Sequence, residues 1–253
     1  MKDILQLRHR PFLLEFMRTS PLLAFDFDGT LSPIVSRPSQ VRVRLTTRRL
    51  LEQLGKRYPI AILSGRARED VRARTLGLGA RLWVGNHGSD WGEGDPGSDR
   101  WARKILPWLP ILAAELGSEP GLEIEDKGMS VSVHFRRSPH PRRALRHVLD
   151  VARTLSGVRT IGGKCVVNFV PEAAPDKGKA LLKLMKAERR KTALFMGDDV
   201  TDEDGFRESL HHPGVLGVRV GISQKSDARF GISDQRAIDR FLRVLLELSR
   251  VLD

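Results

Sequence analysis

The chain contains little cysteine, few aromatic residues and no long apolar run, and each shortage excludes a class of protein. Its 253 residues include a single cysteine, Cys165, which excludes an internal disulfide and favours a reducing compartment. No apolar run approaches the roughly 20 residues that cross a bilayer, and residues 1–10 lack the apolar core of a signal peptide. We therefore expect a soluble, cytoplasmic protein with no membrane partner.

Positive charge is in excess, but it is not concentrated. The formal net charge is +12, and the arginines are spread along the whole chain with acidic residues between them. Aromatic residues make up only 6%, so platforms on which bases stack are scarce. We interpret this pattern as a solvated arginine-rich surface and expect no nucleic-acid partner. The alternative, nucleic-acid binding through the arginines, predicts retention on DNA or RNA that falls steeply with salt.

Short apolar segments alternate with helical segments at both ends of the chain. Residues 22–25, 59–63, 81–84 and 192–196 have the composition of buried strands. The other elements expected here are a strand at residues 215–220 and helices at residues 5–17, 46–57, 68–76, 179–188 and 235–252. This alternation predicts an α/β fold, a doubly wound parallel sheet with helices on both faces.

The middle of the chain follows another pattern. Residues 91–98 are rich in Gly and Asp, as at a crossing between domains. The expected elements after it are a helix at 105–116, a hairpin of 122–126 with 130–136, a helix at 141–155 and a hairpin of 158–161 with 164–170. The second hairpin is expected to turn at Gly162 and Gly163, with Cys165 buried and inert in its strand. The sequence thus predicts an inserted α+β domain at 99–172 between two core segments, 1–98 and 173–253.

Polar clusters follow three of the predicted strands. They are Asp26 and Asp28, then Ser64 and Arg66, then Asp198, Asp199 and Asp202. The carboxyl ends of parallel strands meet at one edge of a sheet, so these clusters are expected to converge. Each acidic cluster alone could be a turn or a helix cap. Together they would repel one another without a cation, and their oxygen ligands suit Mg²⁺, whereas no Cys/His grouping has zinc spacing.

Phosphoryl transfer requires the kinds of side chain found in these clusters. Asp26 is our candidate nucleophile, through an aspartyl-phosphate. Asp28 is the candidate acid for the leaving oxygen and then the base for water. Ser64 would hold the phosphoryl group, and Lys177, next to Gly178 at the start of a helix, would neutralise its charge.

The motifs D-x-D-G-T-L, S-G-R, D-K-G and G-D-D-x-T-D occur in this order over nearly the whole chain. This series resembles the haloacid-dehalogenase-like phosphatase superfamily. The resemblance implies a Rossmann-like core with an α+β cap inserted between the second and third motifs. It also implies a Mg²⁺ cofactor and the same four roles for Asp26, Asp28, Ser64 and Lys177. The metal ligands that it implies are Asp26, the Asp28 backbone carbonyl and Asp198, with Asp199 or Asp202 in support.

Within the superfamily, three stretches look like trehalose-6-phosphate phosphatases. They are D-F-D-G-T-L-S-P-I from residue 26, N-H-G from residue 86, and E-D-K-G from residue 125 followed by S-V-H-F-R from residue 132. In that family the residues matching Glu125 and Lys127 hold sugar hydroxyls, and Arg66 and His87 are further candidates for substrate binding. The resemblance implies Mg²⁺-dependent hydrolysis of trehalose 6-phosphate, a small sugar phosphate, and we expect a monomer.

One stretch departs from the family, which usually has Glu-x-Arg/Lys-Pro on the last cap strand. This chain has N-F-V-P at residues 168–171. Asn168 can still bind a sugar hydroxyl but carries no charge, and Val170 removes a cation. A related phosphatase acting on a different sugar phosphate is therefore an alternative. A non-enzymatic sugar-phosphate sensor is a second, although mere binding would not require a second aspartate as acid.

Overall fold

The computed structural model describes residues 1–35 and 40–252, and the chain divides into two compact units. The first, the core unit, comprises Met1–Gly88 and Asp176–Asp253. The second, the inserted unit, comprises Ser89–Pro175. No helix in the described part of the chain combines the length and the apolar character that a bilayer span requires.

A seven-stranded sheet forms the centre of the core unit, counted over the described residues. Its strands are β1 (Lys2–Asp3), β2 (Leu22–Phe25), β3 (Ile60–Leu63), β4 (Leu82–Val84), β9 (Ala193–Gly197), β10 (Val215–Val220) and β11 (Phe230–Ile232). Their order is β1-β11-β10-β9-β2-β3-β4, and every pair is parallel. The central strands β2, β3 and β9 are buried along their whole length, which explains their continuous apolar sequences.

Helices accompany this sheet. They are α1 (Arg10–Arg18), α2 (Leu45–Gly55), α3 (Arg68–Thr75), α7 (Lys177–Ala187), α8 (Glu203–His211) and α9 (Ile238–Val251). On α9 the spacing of Phe241, Leu245 and Leu248 puts all three on one buried face, next to α1 and α2. Burial of each such side chain stabilises the fold by about 1.5–3 kcal/mol.

The inserted unit has a four-stranded antiparallel sheet in the order β5-β6-β8-β7. Its elements are α4 (Pro96–Ile105), α5 (Trp108–Leu116), β5 (Glu123–Asp126), β6 (Val131–His134), α6 (Pro141–Thr154), β7 (Val158–Gly163) and β8 (Val166–Pro171). Alternate residues Val131 and Val133 on β6, with Val167 and Phe169 on β8, share a buried cluster with residues of α5 and α6. The predicted fold class, a doubly wound α/β core with an inserted α+β domain, is confirmed.

The predicted turn of the β7–β8 hairpin is wrong. Gly162 and Gly163 lie within β7, opposite Val167 and Val166, and the chain reverses at Lys164 and Cys165. Cys165 has φ +63°, a left-handed conformation uncommon outside glycine, and it is partly exposed and not buried in a strand. A Cβ atom on Gly163 would lie 2.7 Å from Cγ1 of Val166. This glycine therefore serves close cross-strand packing and not the turn.

Candidate active site

The loops after β2, β3 and β9 leave the sheet at the same edge. Phe25, the last residue of β2, lies opposite Ile62 on β3 and Met196 on β9. The amide of Asp26 continues the ladder by donating to the carbonyl of Met196 over 2.8 Å. Because all three strands are parallel, the polar residues that follow them lie at the same edge of the sheet, as the sequence predicts.

Gly29 brings the first of these loops against the third. Its φ is +85°, a left-handed conformation that favours glycine. A Cβ atom at this position would lie 2.1 Å from Oδ2 of Asp198, so no larger residue fits. The next residue, Thr30, donates from its hydroxyl to Oδ1 of Asp198 over 3.1 Å. Two loops 168 residues apart in sequence are thereby joined.

Three carboxylates form the centre of the site. Asp26, Asp198 and Asp202 each offer an oxygen atom, and these atoms lie within 4.8 Å of one another. The Nζ atom of Lys177 donates to Oδ1 of Asp26 and to Oδ1 of Asp202, both over 2.7 Å. Lys177 begins α7 and is only 2% exposed. We call these four residues the acidic centre.

Burial and mutual repulsion dominate the electrostatics of the acidic centre. Burial raises the pKa of Asp26 well above its usual value; Lys177 opposes this rise, and Asp202 and Asp198 add to it. Burial, with the charges of Asp202 and Asp199, raises the pKa of Asp198 to about 7. Burial alone would lower the pKa of Lys177, but Asp202 and Asp26 outweigh it and raise that pKa. One ammonium faces three carboxylates, so the donor set fits a hard divalent cation with oxygen ligands.

Asp202 also shapes the loop that follows β9. Its Oδ2 atom accepts from the amides of Asp198 and Asp199, each over 2.9 Å, and the residue is fully buried. Gly197 makes room for it, because a Cβ atom there would lie 2.2 Å from Cγ of Asp202. Asp199 is exposed and is not part of the acidic centre. Of the two supporting acids that the sequence left open, Asp202 is the one beside Asp26 and Asp198.

The carboxylate of Asp28 is directed to Arg66. The guanidinium donates from Nε to Oδ2 over 2.6 Å and from Nη2 to Oδ1 over 2.9 Å, a bidentate pair. The third donor of Arg66, Nη1, binds Oδ2 of Asp70 over 2.8 Å. Arg66, a predicted substrate-binding residue, is therefore committed to two carboxylates of the protein.

The loop after β3 contains Ser64 and receives His87. Ser64 is 1% exposed, and its hydroxyl accepts from the amide of Arg66 over 3.2 Å. Its carbonyl accepts from the amide of His87 over 3.0 Å. The ring of His87 lies so close to Gly65 that a Cβ atom on the glycine would be 2.5 Å from its Cε1. Both predicted residues thus lie where the loop after β3 packs against the segment after β4.

The predicted sugar-binding residues lie on the inserted unit. Glu125 is exposed on β5, and its Oε2 atom lies 2.8 Å from Nε2 of His134 and 3.8 Å from Nζ of Lys127. These three side chains combine donors and acceptors, as a polyol requires.

Asn168 is buried in the same sheet and already bonded. Its Oδ1 atom accepts from the hydroxyl of Ser132 over 2.6 Å, and its Nδ2 atom donates to the carbonyl of Ile161 over 3.2 Å. Ser132 lies directly opposite both Asn168 and Glu125 in the strand register. Asn168 is therefore a neutral group held in place by its neighbours.

Comparison with known proteins identifies the family. A family profile described as trehalose-phosphatase matches residues 24–239. The chain belongs to the trehalose-phosphatase family. The trehalose-phosphate phosphatase of Mycobacterium avium is 31% identical over 246 residues, which cover 92% of this chain and 62% of that protein. That of Mycobacterium marinum is 35% identical over 218 residues, covering 81% of this chain and 55% of that protein. The chain thus spans about three fifths of the length of these relatives.

A solved structure shares the trehalose-phosphatase fold. The C-terminal domain of the C. albicans trehalose-6-phosphate phosphatase superposes with a TM-score of 0.76 at 24% identity, covering 94% of this chain and 96% of that one. At this identity the likeness concerns the fold alone.

Sequence reasoning missed several residues of this trehalose-phosphatase site. Arg219 on β10 donates from Nη2 to the carbonyl of Asp198 over 2.6 Å and from Nη1 to Oε1 of Glu203 over 2.6 Å. It therefore supports the loop that presents Asp198 and Asp202 of the acidic centre. The only signal in the sequence is an arginine within an otherwise apolar strand, V-L-G-V-R-V. Asp70 was missed although Arg66 and Arg74 each lie four residues from it, and His134 was missed because its partner Glu125 lies on another strand.

Proposed function

We propose that this member of the trehalose-phosphatase family hydrolyses trehalose 6-phosphate to trehalose and phosphate. The relatives of that name support the substrate. The observation that carries the chemistry is the buried Lys177, which binds Asp26 in a cluster of three carboxylates. We also propose a cytoplasmic location, since a single cysteine favours a reducing compartment. A monomer is proposed as well.

Asp26 is the proposed nucleophile. Lys177 fixes the carboxylate through Oδ1, and burial strips it of water. An oxygen of Asp26 forms a bond to phosphorus while the bond from phosphorus to the sugar oxygen breaks, giving an aspartyl-phosphate. Lys177 and Ser64 would bind the phosphoryl oxygens as charge develops on them.

Asp28 is the proposed acid and base. In the first step its proton passes to the leaving sugar oxygen, which departs as the hydroxyl of trehalose. In the second step its carboxylate takes a proton from water. The water oxygen bonds to phosphorus, the bond from phosphorus to Asp26 breaks, and inorganic phosphate leaves with Asp26 regenerated.

A Mg²⁺ ion is the proposed cofactor. Asp26, Asp198, Asp202 and the backbone carbonyl of Asp28 would hold it. When bound, Mg²⁺ neutralises negative charge on the phosphoryl oxygens and on the clustered carboxylates. Burial and the neighbouring carboxylates raise the pKa values of Asp26 and Asp198. A bound cation would stabilise these groups in their ionised form.

Sugar recognition is proposed for the inserted unit. Glu125 and Lys127 would bind hydroxyls of the trehalose moiety, with Asn168 in a neutral role. In the core unit, His87 would shape the site, and Arg66 was proposed from the sequence to bind substrate. The neutral Asn168 keeps a different sugar phosphate as the competing substrate.

Phosphate release from a panel of sugar phosphates, with and without Mg²⁺, tests the proposal. The panel contains trehalose 6-phosphate, sucrose 6-phosphate and glucose 6-phosphate. We expect the highest kcat/KM with trehalose 6-phosphate, no turnover in EDTA, and a loss of at least about a thousandfold for Asp26→Asn. A wide preference for another sugar defeats the trehalose assignment. Turnover by Asp26→Asn at the wild-type rate defeats the nucleophile.

A further inference from the structure

Arg66 holds the carboxylate of Asp28 in a fixed orientation. Both oxygen atoms of Asp28 accept from one planar guanidinium, at 2.6 and 2.9 Å. The guanidinium lies over the ring of Phe27 at 5.5 Å, and the Arg66 side chain is only 13% exposed. A planar fork fixes the direction as well as the distance of a carboxylate. The orientation of Asp28 therefore depends on what holds Arg66.

Asp70 holds Arg66 from the other side. Its Oδ2 atom accepts from Nη1 of Arg66 over 2.8 Å, and its Oδ1 atom accepts from Nε of Arg74 over 2.8 Å. Residues 66, 70 and 74 are spaced by four, so α3 and the turn before it present them on one face. Burial alone would raise the pKa of Asp70, but its bonds to Arg74 and Arg66 outweigh this and lower that pKa. Asp70 thus stays ionised and stays paired at neutral pH.

A contribution to stability does not by itself explain the network formed by Asp28, Arg66, Asp70 and Arg74. Asp28 and Asp70 each keep more than a third of their side chains exposed. Ion pairs with that exposure contribute little to the free energy of unfolding when they are isolated, whereas a bidentate pair within a charge network contributes more. The arrangement also fixes the orientation of the Asp28 carboxyl group, and proton transfer depends on such direction and distance.

We propose that Asp70 is a positioning residue that acts through Arg66 to hold the Asp28 carboxylate in place, so that one of its oxygens, once it exchanges its bond to Arg66 for a proton, is directed at the leaving sugar oxygen. The inference rests on the proposed function, in which Asp28 is the acid. It assigns Arg66 to the orientation of Asp28 and not to the binding of phosphate. Arg74 ends this charge network by donating a hydrogen bond to Oδ1, the second oxygen atom of Asp70.

The test compares Asp70→Asn with Glu69→Gln. Both variants are isosteric and remove one negative charge from the same turn of α3. Glu69 is exposed and forms ion pairs with Arg68 and Arg72, away from Arg66, so it is the matched control. Each variant is assayed with the sugar phosphate that the wild type hydrolyses fastest and with p-nitrophenyl phosphate. The second substrate releases a phenolate, which departs without an acid.

For Asp70→Asn we expect kcat/KM for the sugar phosphate to fall about tenfold and that for p-nitrophenyl phosphate to change by less than about twofold. Glu69→Gln should leave both values within about twofold of the wild type. An equal loss on both substrates overturns the inference, because it indicates a defect in phosphate binding or folding. So does wild-type activity of Asp70→Asn on the sugar phosphate.

A spectroscopic measurement separates orientation from folding. The ¹⁵N-labelled Nε–H signal of Arg66, identified by its loss in Arg66→Lys, should shift in Asp70→Asn and stay unchanged in Glu69→Gln. An unchanged Arg66 signal in Asp70→Asn overturns the inference. If the wild-type protein hydrolyses no phosphate ester, the proposed function is overturned. If the wild type hydrolyses a sugar phosphate and Asp70→Asn does so at the same rate, this inference alone is overturned.

Discussion

Lys177 donates from its buried Nζ atom to Oδ1 of Asp26 over 2.7 Å. The bond joins residues 151 positions apart, one at the start of α7 and one at the end of β2. The same Nζ atom binds Asp202. A single ammonium therefore compensates two buried carboxylates from different loops, and several measurable properties depend on it.

Removal of this ammonium should destabilise the fold. At pH 8 without metal, Lys177→Met should lower the free energy of unfolding by about 3–5 kcal/mol, because it leaves buried carboxylates uncompensated. Urea denaturation measures the change. Lys179→Met, on the same helix with a side chain that is 67% exposed, should stay within about 0.5 kcal/mol of the wild type. Equal effects of the two substitutions would contradict the structural role of Lys177.

Divalent cation binding should depend on Asp198 and not on its neighbour Asp199. Asp198→Asn should weaken Mg²⁺ or Mn²⁺ binding by at least about tenfold, since it removes one of three clustered carboxylates. The exposed Asp199 provides the control, and Asp199→Asn should bind metal within about threefold of the wild type. Titration calorimetry with the metal alone measures both. If Asp198→Asn bound the metal with wild-type affinity, the proposed metal site would be contradicted.

The metal-free protein should lose stability as Asp198 ionises. Its pKa is about 7 in the folded chain and about 4 in the unfolded chain. Between these values the folded state binds more protons, so the free energy of unfolding falls as the pH rises from about 4 to about 7. Denaturation in EDTA, with Asp198→Asn subtracted as reference, isolates this contribution. A difference that stays constant over the range would refute the raised pKa.

The pair formed by Ser132 and Asn168 should be coupled energetically. Asn168→Leu should cost about 1–3 kcal/mol of stability, because the buried hydroxyl of Ser132 loses its acceptor. Adding Ser132→Ala removes that unsatisfied donor, so the double variant should be less destabilised than the sum of the two single changes. A double-mutant cycle by chemical denaturation gives the coupling. Strict additivity would mean that the hydrogen bond contributes nothing.

The sequence predicted the elements whose burial dictates their composition. Strands β2, β3 and β9 are continuous apolar runs because both faces of a parallel sheet are covered. The helix α4 was missed because it begins within the Gly- and Asp-rich stretch at residues 91–98, and α8 was missed because few of its residues are apolar. In α8 the buried residues are Gly205 and Phe206, and the rest is polar. The β7–β8 turn was misplaced because glycines favour turns in general, and cross-strand packing decided otherwise.

The candidate site was predictable as a set of residues but not as a set of contacts. Strand ends and motif order indicated Asp26, Asp198 and Lys177. The spacing by four is a signal for the pairing of Arg66 with Asp70, whereas the pairing of Asp28 with Arg66 depends on side-chain directions that no spacing rule supplies. Arg219 gave only a weak signal, because its partners, the carbonyl of Asp198 and the carboxylate of Glu203, lie on the loop after a neighbouring strand and on α8.

The position of Cys165 at the tip of the β7–β8 hairpin offers a practical route to observing the inserted unit directly. It is the sole thiol of the chain and is partly exposed. A maleimide dye or a nitroxide would therefore attach at one known place without any engineered mutation. Fluorescence anisotropy or spin-label spectra could then follow the hairpin of the inserted unit during turnover, in the native sequence.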